Sequence, residues 1–258
     1  MSTLDIRTEG RVARVYLNRP ELRNAFNDGV IAELTEAFRR LGADTGLRAI
    51  VLGGHGKAFC AGADLGWMRA MADYSWDQNR ADAQGLADML WTVYDCPLPV
   101  VARLQGDCYA GGMGLAAVCD LRVAAEGVQF CLSEARLGLL PATIGPYVVR
   151  ALGEQASRRY FLTAERFSAA QAQAFGFVHE VAPAEALDHR VDELVALLVA
   201  NGPASVKACK KLVQDVAGRE ITPALRAETA RRIADIRASE EGREGVQAFL
   251  QKREPAWR

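Results

Sequence analysis

Gly111, Gly112 and Gly114 stand around a single Met in the run GDCYAGGMGLAAVCD, and fourteen residues past its closing Asp120 comes Glu134, in FCLSEARLG. Glycines between an apolar strand (PVVARLQG) and an apolar helix (LAAVC) let backbone N–H groups approach a ligand with no Cβ in the way. The first turn of a helix leaves N–H donors unpaired, which favours developing negative charge. A carboxylate among apolar neighbours is how a general acid or base is tuned. Singly, these features are more often a tight turn and a helix-initiating glutamate. The loop has neither the Gly-Lys-Ser/Thr of a triphosphate cradle nor the Gly-x-Gly-x-x-Gly dinucleotide spacing.

A second stretch changes that balance. GGHGKAFCAGADLGWM, residues 53–68, again runs from a strand through a glycine-rich loop into a helix. Asp64 reads as the helix cap, and an N–H near Ala63 as pointing into a site, with His55 and Lys57 solvated. Two such units could aim two backbone N–H groups at one point, which is an oxyanion hole. A nearby Glu would then move a proton beside the stabilised oxyanion. The implied chemistry is proton abstraction or addition next to a thioester or similar carbonyl, through an enolate.

The elements that must hold these loops alternate as in an α/β protein. Residues 3–18 read as a hairpin turning at Glu9-Gly10. A helix follows from about Asp28 to Leu41, with Val30, Ile31, Leu34, Ala37, Phe38 and Leu41 at helical spacing. LRAIVLGG reads as a buried strand, 76–95 as a helix, Ala164–Ser168 as a loop with Ser168 a cap candidate, and FGFVHEVAP as a last short strand. Beyond Ala184 only helices are expected, at about 184–200, 203–217, 223–238 and 241–252, with Pro203 and Pro223 as starts. Their apolar stripes call for a covering partner, such as another subunit. The expected division is an α/β core over 1–195 and a helical region over 196–258.

Composition narrows the function classes. The 258 residues are half hydrophobic with net charge −1, which allows one large core and gives nothing for nucleic acid to bind. MSTLDIRTEG has no apolar signal core and no run reaches membrane-spanning length. Six cysteines form no C-x-x-C pair, so reduced, buried thiols in a cytoplasmic protein are expected. The three histidines are not spaced as a metal set.

FCAGADL, YAGGMGLAAVCDLRVA and FCLSEARLGLLP, with VYLNRPELRNAF before them and AFLQKREPAW after, resemble the crotonase, or enoyl-CoA hydratase/isomerase, superfamily over nearly the whole chain. Within it, SEARLGLLPATIGP and EGREGVQAFLQKREPAW are most similar to bacterial methylglutaconyl-CoA hydratases of leucine breakdown. The resemblance implies a spiral of ββα units with a C-terminal helical trimerisation region, assembled as a homotrimer or hexamer. It puts the oxyanion donors on the N–H groups of Ala63 and Gly111 and a catalytic glutamate on Glu134. CoA contacts fall on Leu22, Arg23 and Ala25, and on Phe249 and Lys252 of a neighbouring subunit. Asp64, Leu65, Trp67, Met113, Gly114 and Ala142 complete the expected substrate lining. The resemblance implies an acyl-CoA substrate, with no separate cofactor and no metal expected.

Two departures stand out. Gly114 occupies the position of a typical hydratase's first catalytic glutamate, and Ala142 that of a glycine that helps hold the catalytic water. Ala142 is expected to offer its N–H still, and Gly114 to make room for a bulkier or carboxylated acyl chain. Hydration with Glu134 as the acid/base leads, and Δ3,Δ2-enoyl-CoA isomerisation is the alternative. Some members of the family associate with RNA, but phosphate binding needs local positive charge and this sequence has no Lys/Arg cluster. Retention of Glu134 and both loops speaks against an inactive scaffold.

Overall fold

The computed structural model describes residues 2–258. The chain opens with the hairpin β1 (Leu4–Glu9) and β2 (Val12–Leu17), turned at Gly10 with φ +59°. Helix α1 (Asp28–Ala43) starts where Asn27 Oδ1 accepts the Val30 N–H at 2.9 Å, and it buries the six apolar residues its periodicity marks. Three turns of one pattern follow, each with a long strand, a short strand and then helix. The first is β3 (Ala49–Gly54), β4 (Ala58–Cys60), α2 (Leu65–Ala72) and α3 (Trp76–Tyr94). The second is β5 (Val100–Leu104), β6 (Asp107–Tyr109) and α4 (Gly111–Ala117). The third is β7 (Leu121–Ala125), β8 (Gln129–Cys131), a 3-10 turn at Glu134–Leu137, α5 (Gly145–Leu152) and α6 (Glu154–Thr163). Then come β9 (Arg166–Ser168), α7 (Ala169–Ala174) and β10 (Glu180–Ala182).

Each turn adds its long strand to one sheet, ordered β1-β2-β3-β5-β7-β10, and its short strand to a second, ordered β4-β6-β8-β9. Pairing from β2 to β10 and from β4 to β8 is parallel. This is the expected α/β spiral of ββα units. The long strands are buried on both faces and read as continuous apolar runs. The short strands are three residues each, too brief for alternation to show. Ala164–Ser168, expected as a loop, contains β9, which pairs antiparallel with β8. Its expected cap is present too, since Ser168 Oγ accepts the Gln171 N–H at 3.2 Å.

Helix α8 (Leu187–Ala200) lies on the larger sheet, tied by Asp192 to Arg14 at 2.6 Å and by Asp188 to Arg103. It runs through the expected division at residue 195, so the chain leaves the sheet only at Asn201–Gly202. Helix α9 (Pro203–Val216) is anchored by Lys210, whose ammonium donates to Asp120 at 2.8 Å and to the Leu98 carbonyl at 3.0 Å. Helices α10 (Pro223–Ala238) and α11 (Glu240–Leu250) bury only Leu225 and Ala248 and expose Ile233, Val246, Phe249 and Leu250. No helix among the described residues is long and apolar enough to cross a membrane.

Candidate active site

The two glycine loops meet. Phe26 forms a parallel bridge with Ala63: the Phe26 N–H donates to the Gly62 carbonyl, and the Asp64 N–H to the Phe26 carbonyl, each at 2.7 Å. Both neighbours of Ala63 are thereby held, while its own N–H donates to no acceptor among the described residues. Gly62, at φ +93°, presses so close to the other loop that a Cβ would stand 2.9 Å from Ala110 Cβ and 3.7 Å from the Gly111 nitrogen. A side chain here would separate the loops.

Gly111 opens α4, and its N–H is also without an acceptor among the described residues. The turn that frees it is Ala110, at φ +48° and ψ −120°, a conformation that favours glycine. Its N–H donates to the Cys131 carbonyl at 2.8 Å. No sequence signal marks this strain, because alanine is the wrong residue to look for. Two free N–H groups on adjoining loops are what polarising a carbonyl oxygen requires.

Glu134 is carried toward the Gly111 loop by the smaller sheet. Tyr109 of β6 pairs with Cys131 of β8, so the ends of the two strands lie together, and Glu134 follows Cys131 by three residues. Its Oε2 is buried and has no hydrogen-bond partner among the described residues. Burial pushes its carboxyl above the usual range, offset in part by its own backbone N–H. Phe130, Cys131 and Leu132 are buried as expected, whereas Leu137 lies at the surface. The carboxylate is thus desolvated, without a cation to hold its proton off.

The departures from the family pattern resolve differently from expectation. Gly114 opens no room for substrate: a Cβ on it would overlap Cγ2 of Ile144 and stand 2.6 Å from its Cβ. Ile144, 2% exposed, fills the space that a side chain from this position of α4 would need. Ala142 offers no free donor either. Its N–H already donates to the Leu140 carbonyl at 2.9 Å, a tight local turn. Met113, expected in the substrate lining, is wholly buried in the core.

In the loop expected to contact CoA, Leu22 and Arg23 are exposed and Ala25 is buried. Arg23 and Asn24 both have positive φ, +52° and +55°. The missed residue is Asn24, buried at the centre of this loop. Its Oδ1 accepts the Arg19 N–H at 2.9 Å and its amide donates to the carbonyls of His55 and Ala58. Asp64 is a cap, accepting from the N–H groups of Gly66 and Trp67, and its other oxygen pairs with Arg19 at 2.9 Å. These partners pull its pKa down against burial, and both oxygens are engaged within the protein. Leu65 is exposed beside it, and Trp67 is half-buried, its indole donating to Asp82 at 3.0 Å.

Phe249 and Lys252, both exposed, are not brought to this site. Their segment is pinned where Trp257 donates to the Ala200 carbonyl at 3.2 Å and Arg11 donates to the Trp257 carbonyl at 2.7 Å. Arg11 in turn accepts the Arg48 N–H, just before β3 begins, whereas the glycine loop leaves the far end of β3. Among the described residues no three His, Cys, Asp or Glu side chains gather as a metal would need.

Residues 7–258 match the family described as enoyl-CoA hydratase/isomerase. A Thermus thermophilus protein named as an enoyl-CoA hydratase is 35% identical, over 96% of this chain and 97% of its own. The 2,3-dehydroadipyl-CoA hydratase of Escherichia coli is 30% identical over 99% and 98%. Among solved structures, an enoyl-CoA hydratase from Shewanella pealeana superposes with a TM-score of 0.96 at 38% identity, covering 99% of this chain and 96% of that one.

Proposed function

Since the chain belongs to the enoyl-CoA hydratase/isomerase family and is an enzyme of it, we propose that it adds water across the double bond of an enoyl-CoA, with Glu134 as the only acid/base. The observation that carries this reading is the pairing of two free N–H groups, on Ala63 and Gly111, with a half-buried carboxylate whose Oε2 has no partner among the described residues. The thioester oxygen takes both N–H bonds. Glu134 removes a proton from water, the oxygen of that water bonds to Cβ, and the π electrons pass to the thioester oxygen as an enolate. Protonated Glu134 then returns the proton to Cα on the same face, so the addition is syn. Donors fixed at the developing oxyanion lower the barrier without reorganising, and a carboxyl tuned upward exchanges its proton near neutrality.

Isomerisation is the second reading, and one observation favours it. Ile144 is an apolar wall where a second carboxylate would stand, and the Ala142 N–H is engaged. Glu134 alone would carry a proton from one carbon to another with no water in the cycle.

The proposed acyl group is carboxylated, methylglutaconyl-CoA first. The resemblance of SEARLGLLPATIGP supports it, as does the E. coli relative, named for the thioester of a dicarboxylic acid. The proposed assembly is a homotrimer or hexamer in the cytoplasm, with Phe249 and Lys252 lent to a neighbour's CoA. The exposed apolar residues of α11 support this, as do five buried free thiols. Incubation with 2-enoyl and 3-enoyl thioesters, with and without a distal carboxylate, separates the readings. Gain of one water in mass supports hydration, and double-bond migration at constant mass supports isomerisation. No turnover of any thioester contradicts both. A monomer at micromolar concentration by light scattering contradicts the shared CoA site.

A further inference from the structure

One half-hidden arginine connects the loop assigned to CoA with the loop that carries Ala63. Arg19 donates through Nη1 to the Ala25 carbonyl at 2.8 Å and through Nη2 to Asp64 at 2.9 Å. The two side chains are only 16% and 15% exposed. The other Asp64 oxygen caps α2, and the Asp64 N–H is the one that fixes the C-terminal side of Ala63 against Phe26. Phe26 completes the link, because its ring lies 3.2 Å from where a Cβ on Gly111 would be. The segment from Arg19 to Phe26 therefore touches both donors of the oxyanion hole and contains the CoA loop.

We infer that Arg19 is a positioning residue for the oxyanion hole: it touches no reacting atom, and through Asp64 and the Ala25 carbonyl it fixes the aim of the Ala63 N–H relative to the loop that grips CoA. The inference rests on the reading that Ala63 and Gly111 bind the thioester oxygen. Useful donors stand 2.7–3.1 Å from the developing oxyanion, so a small rotation of the Ala63 peptide weakens the bond while CoA stays bound. A guanidinium spans two acceptors in one plane, and an ammonium is a single point charge that does not reproduce the fork. No local motif announces the pair, since Arg19 and Asp64 are 45 residues apart.

The test compares Arg19→Met and Arg19→Lys with the wild type, using an enoyl-CoA thioester that the enzyme turns over. The readouts are kcat, KM, the dissociation constant of free CoA, and the carbonyl stretching frequency of the bound thioester. Misplacement of one donor predicts a kcat loss of about 10–100-fold. KM and free CoA affinity should stay within about threefold. The downshift of the carbonyl frequency should shrink in step with kcat, with Arg19→Lys between wild type and Arg19→Met. If Arg19→Met does not fold, Asp64→Asn keeps the cap oxygen, removes the charged partner and must give the same pattern. Full kcat with an undiminished carbonyl shift in a folded variant overturns the inference, as does lost CoA affinity with the shift intact. A wild-type enzyme that shifts no carbonyl frequency overturns the oxyanion reading itself, and this inference with it.

Discussion

Replacing Gly114 by alanine should destabilise this protein, although alanine is the better helix former by about 1 kcal/mol. The new Cβ would overlap Cγ2 of Ile144 and stand 2.6 Å from its Cβ, where ordinary contact begins at 3.4 Å. Ile144 is 2% exposed and has nowhere to turn. Overpacking of this kind costs ~1–3 kcal/mol; so deep an overlap belongs to the upper part, about 2–3 kcal/mol, and the net loss is about 1–2 kcal/mol once the helix gain is subtracted. The clash has a specific cure. Ile144→Ala leaves the offending Cβ in place, whereas Ile144→Gly leaves only the Cα, 3.6 Å away. Ile144→Gly alone should cost ~2–5 kcal/mol through the cavity it opens. In that background Gly114→Ala should become stabilising by about 1 kcal/mol, a coupling of about 2–3 kcal/mol between the sites. By the same geometry Gly114→Glu should fold only together with Ile144→Gly. Urea midpoints for the four members of the cycle, at unchanged m value, provide the numbers. Gly114→Ala as stable as the wild type, or a coupling under about 0.5 kcal/mol, would refute the claim that Ile144 stands in place of the missing carboxylate.

Three further outcomes are expected. Burial raises the Glu134 pKa, so turnover that needs the ionised carboxylate should fall with decreasing pH at a higher pH than for an ordinary glutamate. Stability runs the other way: between the unfolded and the raised folded pKa the native state holds the extra proton, so wild-type stability falls as pH rises through that window. Urea midpoints of wild type and Glu134→Gln against pH should diverge there, and parallel curves contradict the shift. Ala110→Gly should raise stability by about 1 kcal/mol, from ~1–3 kcal/mol of backbone strain relieved against the entropy of glycine, and a lowered urea midpoint contradicts the strain. Lys210→Met should cost about 2 kcal/mol, less than a fully buried pair because Asp120 is 28% exposed, and an unchanged thermal midpoint shows that α9 is anchored elsewhere.

The parts of the fold readable from the sequence are those whose periodicity is long. Helix α1 shows all six of its buried residues in its pattern, and the C-terminal helices announce themselves by Pro203 and Pro223 at their first turns. The smaller sheet is invisible, because β4, β6, β8 and β9 are three residues each and cohere only by pairing across the spiral. The same division holds at the site. Glu134 and the glycine loops stand out by residue type. The contacts that decide what they do are long-range: Ile144 against Gly114, Arg19 on Asp64, Asn24 under the loop proposed for CoA. Ala142 shows the limit from the other side, since its sequence position promised a donor and a local turn to Leu140 had already taken it.

The central claim is that Glu134 is the acid/base and touches the reaction directly. Glutamine has nearly the same shape and accepts no proton, so Glu134→Gln isolates that role. Steady-state turnover of the best thioester from the substrate panel, measured beside calorimetric CoA binding, tests it. Turnover should fall by at least ~10²-fold, the usual scale of general acid–base catalysis, while CoA affinity and the cooperative unfolding transition persist. Turnover within a few-fold of wild type would contradict the hydratase and the isomerase readings together.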